Sequence, residues 1–259
     1  MLVFEGEKIV GDVKMFATPP HPIPKGAVDL GIMMQREDGS SYHLYWAECN
    51  IGADKPEDAG DYYAWGEVEP YYAEGHSQDN PCTHWREGKK GYGWESYRWN
   101  ADAYLPKLTK YCVYNLYAPG QWAGEGSPDN KIVLETGPDG DDVAFRLLGG
   151  TWRMPTVTEM KALRQCSWNR TARNGVNGWE VKSTVEGNTN SIFFPFAGRR
   201  HTDYISYGES WDPTGAYWTS SLFDRASESA YHLSLGSGTF GLSAHSNRYF
   251  GFPIRPVAE

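Results

Sequence analysis

Gly149-Gly150-Thr151-Trp152-Arg153-Met154-Pro155-Thr156-Val157-Thr158-Glu159-Met160-Lys161-Ala162-Leu163 is the stretch from which the fold is read. Thr156 followed by Glu159 is a capping box, in which each side chain satisfies a backbone N–H of the first helical turn. Pro155 stands just before the cap, where an extended backbone suits it. Val157, Met160, Leu163, Cys166 and Ser167 recur at helical spacing. They predict a helix of about three turns with one buried face. Upstream, Gly149-Gly150 is a turn, and Trp152 and Met154 alternate with Thr151 and Arg153 as in a half-buried strand.

Outward from this stretch the signals are shorter. Val28–Ile32 and Tyr42–Ala47 predict two strands around the turn Asp38-Gly39-Ser40. Pro56-Glu57-Asp58 suits a short helix or turn, and Asp61–Glu67 an aromatic strand. Further strands are expected at Val10–Phe16, Ile192–Phe196, Ala216–Ser221, Ala230–Leu235 and Gly251–Val257. Residues 69 to 130 lack periodicity and predict a long loop region. Residues 1 to 26 predict a small N-terminal extension ending in the stiff linker Pro19–Pro24. Short strands, long loops and one or two helices make the fold class α+β.

The composition narrows the function. Forty per cent of the 259 residues are hydrophobic and 15% aromatic, enough for a folded core rather than disorder. The net charge of -9 opposes nucleic-acid binding and docking on an anionic membrane. No apolar run is long enough for membrane insertion. The first residues lack the basic-then-apolar pattern of a secretory signal, so the compartment stays open. Cys49, Cys82, Cys112 and Cys166 form no CxxC pair, leaving two disulfides or free buried thiols as alternatives.

Ordered segments carry a family resemblance. They are Val28–Gly31, Trp46–Ala53, Gly60–Glu67, Leu108–Cys112, Asp129–Lys131, Gly150–Thr156, Tyr217–Ser221 and Ile254–Val257. Together they resemble the Fibrobacter succinogenes major paralogous domain of Bacteroidetes proteins, over about residues 27 to 257. The resemblance implies a C-type-lectin-like fold on a surface or secreted protein without established activity. Such scaffolds also serve in diversity-generating retroelements, where template adenines rewrite a C-terminal segment. Asn codons of the form AAC can then become many residues, but not Lys, Glu, Gln, Met or Trp. Between Leu222 and Phe250 only Glu228 falls outside that permitted set. The segment therefore resembles a variable region, and a cell-surface or phage-particle location follows from that resemblance.

The expected binding residues are Leu222, Phe223, Asp224, Arg225, Ser227, Ser229, His232, Ser234, Thr239, Phe240, Leu242, Ser243, His245, Ser246, Tyr249 and Phe250. Aromatics and Arg anchor interfaces, and Ser gives adaptable polar contacts. The partner is expected to be a protein or a glycan, recognised without catalysis. Structural calcium at Asp129, Asn130, Glu135, Asp139, Asp141 and Asp142 is a weaker candidate, since their spacing matches no EF-hand. His76, Cys82 and His84 form a partial zinc set without an evident fourth ligand. Glu67, Glu69, Glu95 and Asp102 lie among Trp65, Trp94 and Trp99, the ingredients of a glycosidase cleft. The sulfatase-modifying oxygenases, of related fold, need a cysteine pair late in the chain, and nothing after Cys166 supplies one. Glu69-Pro70-Tyr71 and Trp99-Asn100-Ala101 depart from the motifs of calcium-dependent lectins.

Overall fold

The structure is a computed structural model and describes residues 23–70, 91–102, 105–113, 129–201, 204–206, 214–236 and 238–259. The expected strand at Val10–Phe16, most of the linker at Pro19–Pro24 and the partial zinc set lie outside the described residues. The architecture is a set of small antiparallel sheets with two short helices among the described residues, broadly α+β.

Strands β1 (Ala27–Gln35) and β2 (Ser41–Ala47) form the expected hairpin. Asp38 shapes its turn by accepting the Ser40 N–H at 2.8 Å and the Ser40 hydroxyl at 2.7 Å. The second helix, α2 (Val157–Ala162), follows α1 (Val143–Leu148) and carries the predicted capping box. Glu159 does more than cap. It accepts Arg153 Nη1 at 2.7 Å and Nη2 at 2.5 Å, and Tyr42 Oη at 2.8 Å. A buried carboxylate is tolerable only when paired and hydrogen-bonded in this way.

The helix is shorter than expected. It tightens into a 3₁₀ turn at Leu163–Gln165, and Ser167 already belongs to the next strand. That strand, β3 (Ser167–Arg173), pairs with β4 (Val176–Lys182) and β4 with β5 (Ser191–Pro195). The two-residue connection is Asn174-Gly175, with φ of 48° and 85°. Both residues with positive φ are what a type I′ hairpin demands.

Strands β6 (Arg199–His201) and β7 (Tyr204–Ser206) form a small ribbon. Next come β8 (Gly215–Leu222), β9 (Ser229–Leu235) and β10 (Phe240–Asn247), in spatial order β10-β9-β8. Residues 132 to 134 extend this sheet beyond β8, since Leu222 N–H donates to Ile132 O at 2.8 Å and Leu134 N–H to Ser220 O at 2.9 Å. The last strand, β11 (Val257–Ala258), returns to pair with β2 and is much shorter than the expected Gly251–Val257.

The segment Asp61–Glu67 is not a strand. Tyr62, Tyr63, Ala64 and Trp65 are all buried, and the backbone makes a single bridge, Tyr63 to Phe252. Alternation fails because both sides of this segment face core. Trp152 and Met154 likewise flank one bridge, Arg153 to Val257, rather than a strand. Of the short helix or turn expected at Pro56–Asp58, the structure has the turn.

Two buried arginines tie separate segments together. Arg255 donates to Asn50 Oδ1 at 2.8 Å, Glu48 O at 3.1 Å and Phe193 O at 2.8 Å, with its guanidinium 4.9 Å from the Phe194 ring centre. Burial lowers its pKa to about 10, so it stays charged at neutral pH. Arg248 donates to Tyr97 Oη at 2.8 Å and to the carbonyls of Tyr111, Ser227 and Lys110 at 3.1 Å each. A guanidinium's fork of five donors suits such carbonyl cages.

Candidate functional site

The loop after β8 folds back onto the start of β9: Phe223 N–H donates to Ser229 O at 3.0 Å, and Ser229 N–H to Ala226 O at 3.0 Å. This puts Phe223 over β10, where its ring stacks on His245 with centres 3.8 Å apart and planes 8° apart. Tyr231, paired with His245 across the strands, meets Phe223 edge-on at 5.2 Å. Tyr231 Oη donates to Asp224 Oδ1 at 3.0 Å, and Lys161 of α2 lies 5.8 Å above the Tyr231 ring. Asp224, Arg225 and His245 are exposed, and Phe223 and Tyr231 half-buried. The result is an aromatic patch with charges of both signs, built on a strand that ends its sheet.

Phe240, at the other end of β10, stacks on Trp168 at 4.1 Å and meets Trp179 edge-on at 5.5 Å. Thr239 beside it is exposed, and its carbonyl accepts the Gly236 N–H at 2.7 Å. Ser243 is half-exposed. Tyr249 and Phe250 follow β10 and cluster with His201, whose ring centre lies 5.9 Å and 5.0 Å from theirs. Burial and the Arg199 charge depress the pKa of His201.

The expected residues thus do not form one face. Successive side chains on a strand point to opposite sides. Tyr231 and His245 occupy one side of the β9–β10 ribbon, while His232 points to the other with Trp218 and Phe252. Ser234 shares the side of His232. Leu222, Ser227, Ser229, His232 and Leu242 are buried, where the sequence reading had them exposed. Leu222 and Leu242 pack in the core. Ser227 Oγ accepts the Val113 N–H at 3.0 Å, locking the loop to the preceding segment. Nothing in the local sequence marks these five as inward, because long-range pairing decides it.

Four of the six residues proposed for calcium hold other partners. Asp129 accepts the N–H groups of Tyr111 and Cys112, each at 2.8 Å. Glu135 pairs with Lys131 at 2.7 Å and Lys110 at 3.0 Å, and Asp141 with Lys110 and Tyr111 Oη. Asp142 caps α1 and accepts Met154 N–H at 2.9 Å. No group of three His, Cys, Asp or Glu side chains suited to a metal occurs among the described residues. Cys49, Cys112 and Cys166 are free thiols, while Cys82 lies outside the described residues. Glu67 is buried and accepts the Arg98 N–H at 2.7 Å. Trp94 and Trp99 are partly buried against the core.

Among the described residues no helix is long and apolar enough to cross a membrane. No protein-family model matches the chain, and neither a curated protein nor a solved structure matches it significantly.

Proposed function

We propose that this chain is a non-catalytic recognition domain whose contact surface is the exposed part of residues 223 to 250. The observation that carries the reading is the Phe223–Tyr231–His245 patch, flanked by Asp224 and Arg225 and seated on an edge strand. Stacked, half-exposed aromatics beside charged residues are the composition of interface anchors. The Arg248 cage holds the backbone of two separate segments, Lys110-Tyr111 and the loop at Ser227. Such a frame lets surface residues change without unfolding the core.

The scaffold reading is a C-type-lectin-like fold, supported by the return of β11 to the β1–β2 hairpin and by the two short helices among the described residues. The tail's residue set supports its diversification by a retroelement. The test is a displayed library randomised at positions 223, 224, 225, 240, 243 and 245, selected against lysozyme as the probe protein. The reading expects most members to stay folded and binders to emerge. A library that mostly unfolds, or yields no binder while a matched antibody-domain library does, would sink it.

A further inference from the structure

A cleft of about 250 Å³ lies on the opposite side of the ribbon from the aromatic patch, lined by Gly198, Arg199, Thr214, Ser234, His232 and Ser246 with Phe252. Its polar groups form a definite pattern. His232 Nδ1 lies 3.0 Å from Leu233 O, and a carbonyl only accepts, so Nδ1 carries the proton. Burial holds the ring neutral, with a pKa near 4. Nε2 is then an acceptor, and Ser246 Oγ, 3.0 Å away, donates to it. Ser246 therefore turns only lone pairs toward the cleft.

The other groups can donate. The hydroxyls of Thr214 and Ser234 make no hydrogen bond within the described residues. Arg199 is exposed at the rim, its guanidinium 5.1 Å from the Phe250 ring centre. Among the described residues no carboxylate lies within ion-pair distance of it. In a chain of net charge -9, a cation left without a carboxylate at a cleft mouth favours an anionic guest.

The geometry points to this cleft as a site for a small hydroxylated carboxylate, a sugar acid of the uronate class. Arg199 takes the carboxylate, Thr214 and Ser234 donate to ligand oxygens, and Ser246 accepts from a ligand hydroxyl. This rests on the reading of the chain as a recognition domain and names a second, chemically defined subsite for it.

The test is an amide-resonance titration of the full chain with sodium glucuronate, glucose and acetate. Saturable shifts at His232, Ser234 and Ser246 are expected with glucuronate, and binding at least about tenfold weaker with glucose or acetate. Arg199→Gln and Ser246→Ala should each weaken glucuronate about tenfold while leaving the fold's other resonances in place. A uronate-ended oligosaccharide that binds more tightly than glucuronate identifies a polymer end as the source, and equal binding the free acid. Absence of saturable shifts, acetate binding as well as glucuronate, or an indifferent Arg199→Gln variant would overturn the proposal. A four-fold variant, Phe223→Ala, Arg225→Ala, Phe240→Ala and His245→Ala, changes no residue lining this cleft, so failure of the protein-recognition surface would not touch glucuronate binding.

Discussion

At the scale of single residues, Arg248 is the one on which the loops depend. It is fully buried and, among the described residues, has no carboxylate partner, so its charge is held by three carbonyls, a tyrosine hydroxyl and the Trp65 ring 4.7 Å away. Arg248→Lys keeps the charge but not the fork, and should destabilise by about 3 kcal/mol in urea denaturation. A loss under about 1 kcal/mol would mean the cage is dispensable. His232 gives a pH-dependent effect. Its folded pKa of about 4 lies below its ordinary value of 6.5, so the unfolded chain binds the extra proton between those values. Stability from His232 is therefore complete above pH 6.5 and falls by about 3 kcal/mol as the pH drops toward 4. Asp142 opposes this trend, because burial raises its pKa to about 6. Comparing unfolding of the native chain and His232→Asn at pH 7.5 and pH 5 isolates the histidine: the variant should lose less stability on acidification.

At the scale of elements, the capping box shows what local sequence can and cannot determine. Thr156 and Glu159 mark the start of α2 because capping is a matter of residues three apart. Its end was misplaced. The apolar spacing continues through Cys166 and Ser167, but the pairing of Ser167 with Lys182 takes those residues into a strand. Asn174-Gly175 is a sign of that hairpin that the sequence reading passed over, and Gly175→Ala should cost about 1 kcal/mol because φ there is 85°. Glu159 joins the helix to β2 through Tyr42 and to the preceding bridge through Arg153, links of which the capping motif gives no hint. Removing that charge in Glu159→Gln should destabilise by about 2 kcal/mol, since the half-buried Arg153 loses its carboxylate partner. Urea unfolding with the Thr156→Ala variant, expected to lose only about 1 kcal/mol, separates the ion pair from the cap.

At the scale of the whole molecule, the sheet framework was legible where residues partly alternate in and out, as in β1 and β2, and where short apolar and aromatic runs are long enough to form a buried strand, as in β5, β8 and β9. It was illegible in Asp61–Glu67, where aromatics are buried on both sides and carry no periodicity. The candidate surface was legible as a segment but not as a face. A strand displays its residues on two sides, and only the three-dimensional pairing divides Tyr231 and His245 from His232 and Ser234. The surface and the frame should respond differently to substitution. The four-fold variant Phe223→Ala, Arg225→Ala, Phe240→Ala and His245→Ala removes ring stacking but little core. It should remain folded, and a thermal melt should show most of its loss arising from Phe240, which packs on Trp168 and Trp179.

The measurement that tests the recognition account most directly is the DNA sequence flanking the gene. The account predicts a near-copy of codons 217 to 257 beside a reverse transcriptase gene. Its adenines should fall at the exposed positions, Phe223, Asp224, Arg225, Phe240, Ser243 and His245, and spare the frame residues Leu233, Arg248 and Arg255. The absence of such a copy, or adenines at the buried frame positions, would contradict a diversified surface on a fixed scaffold.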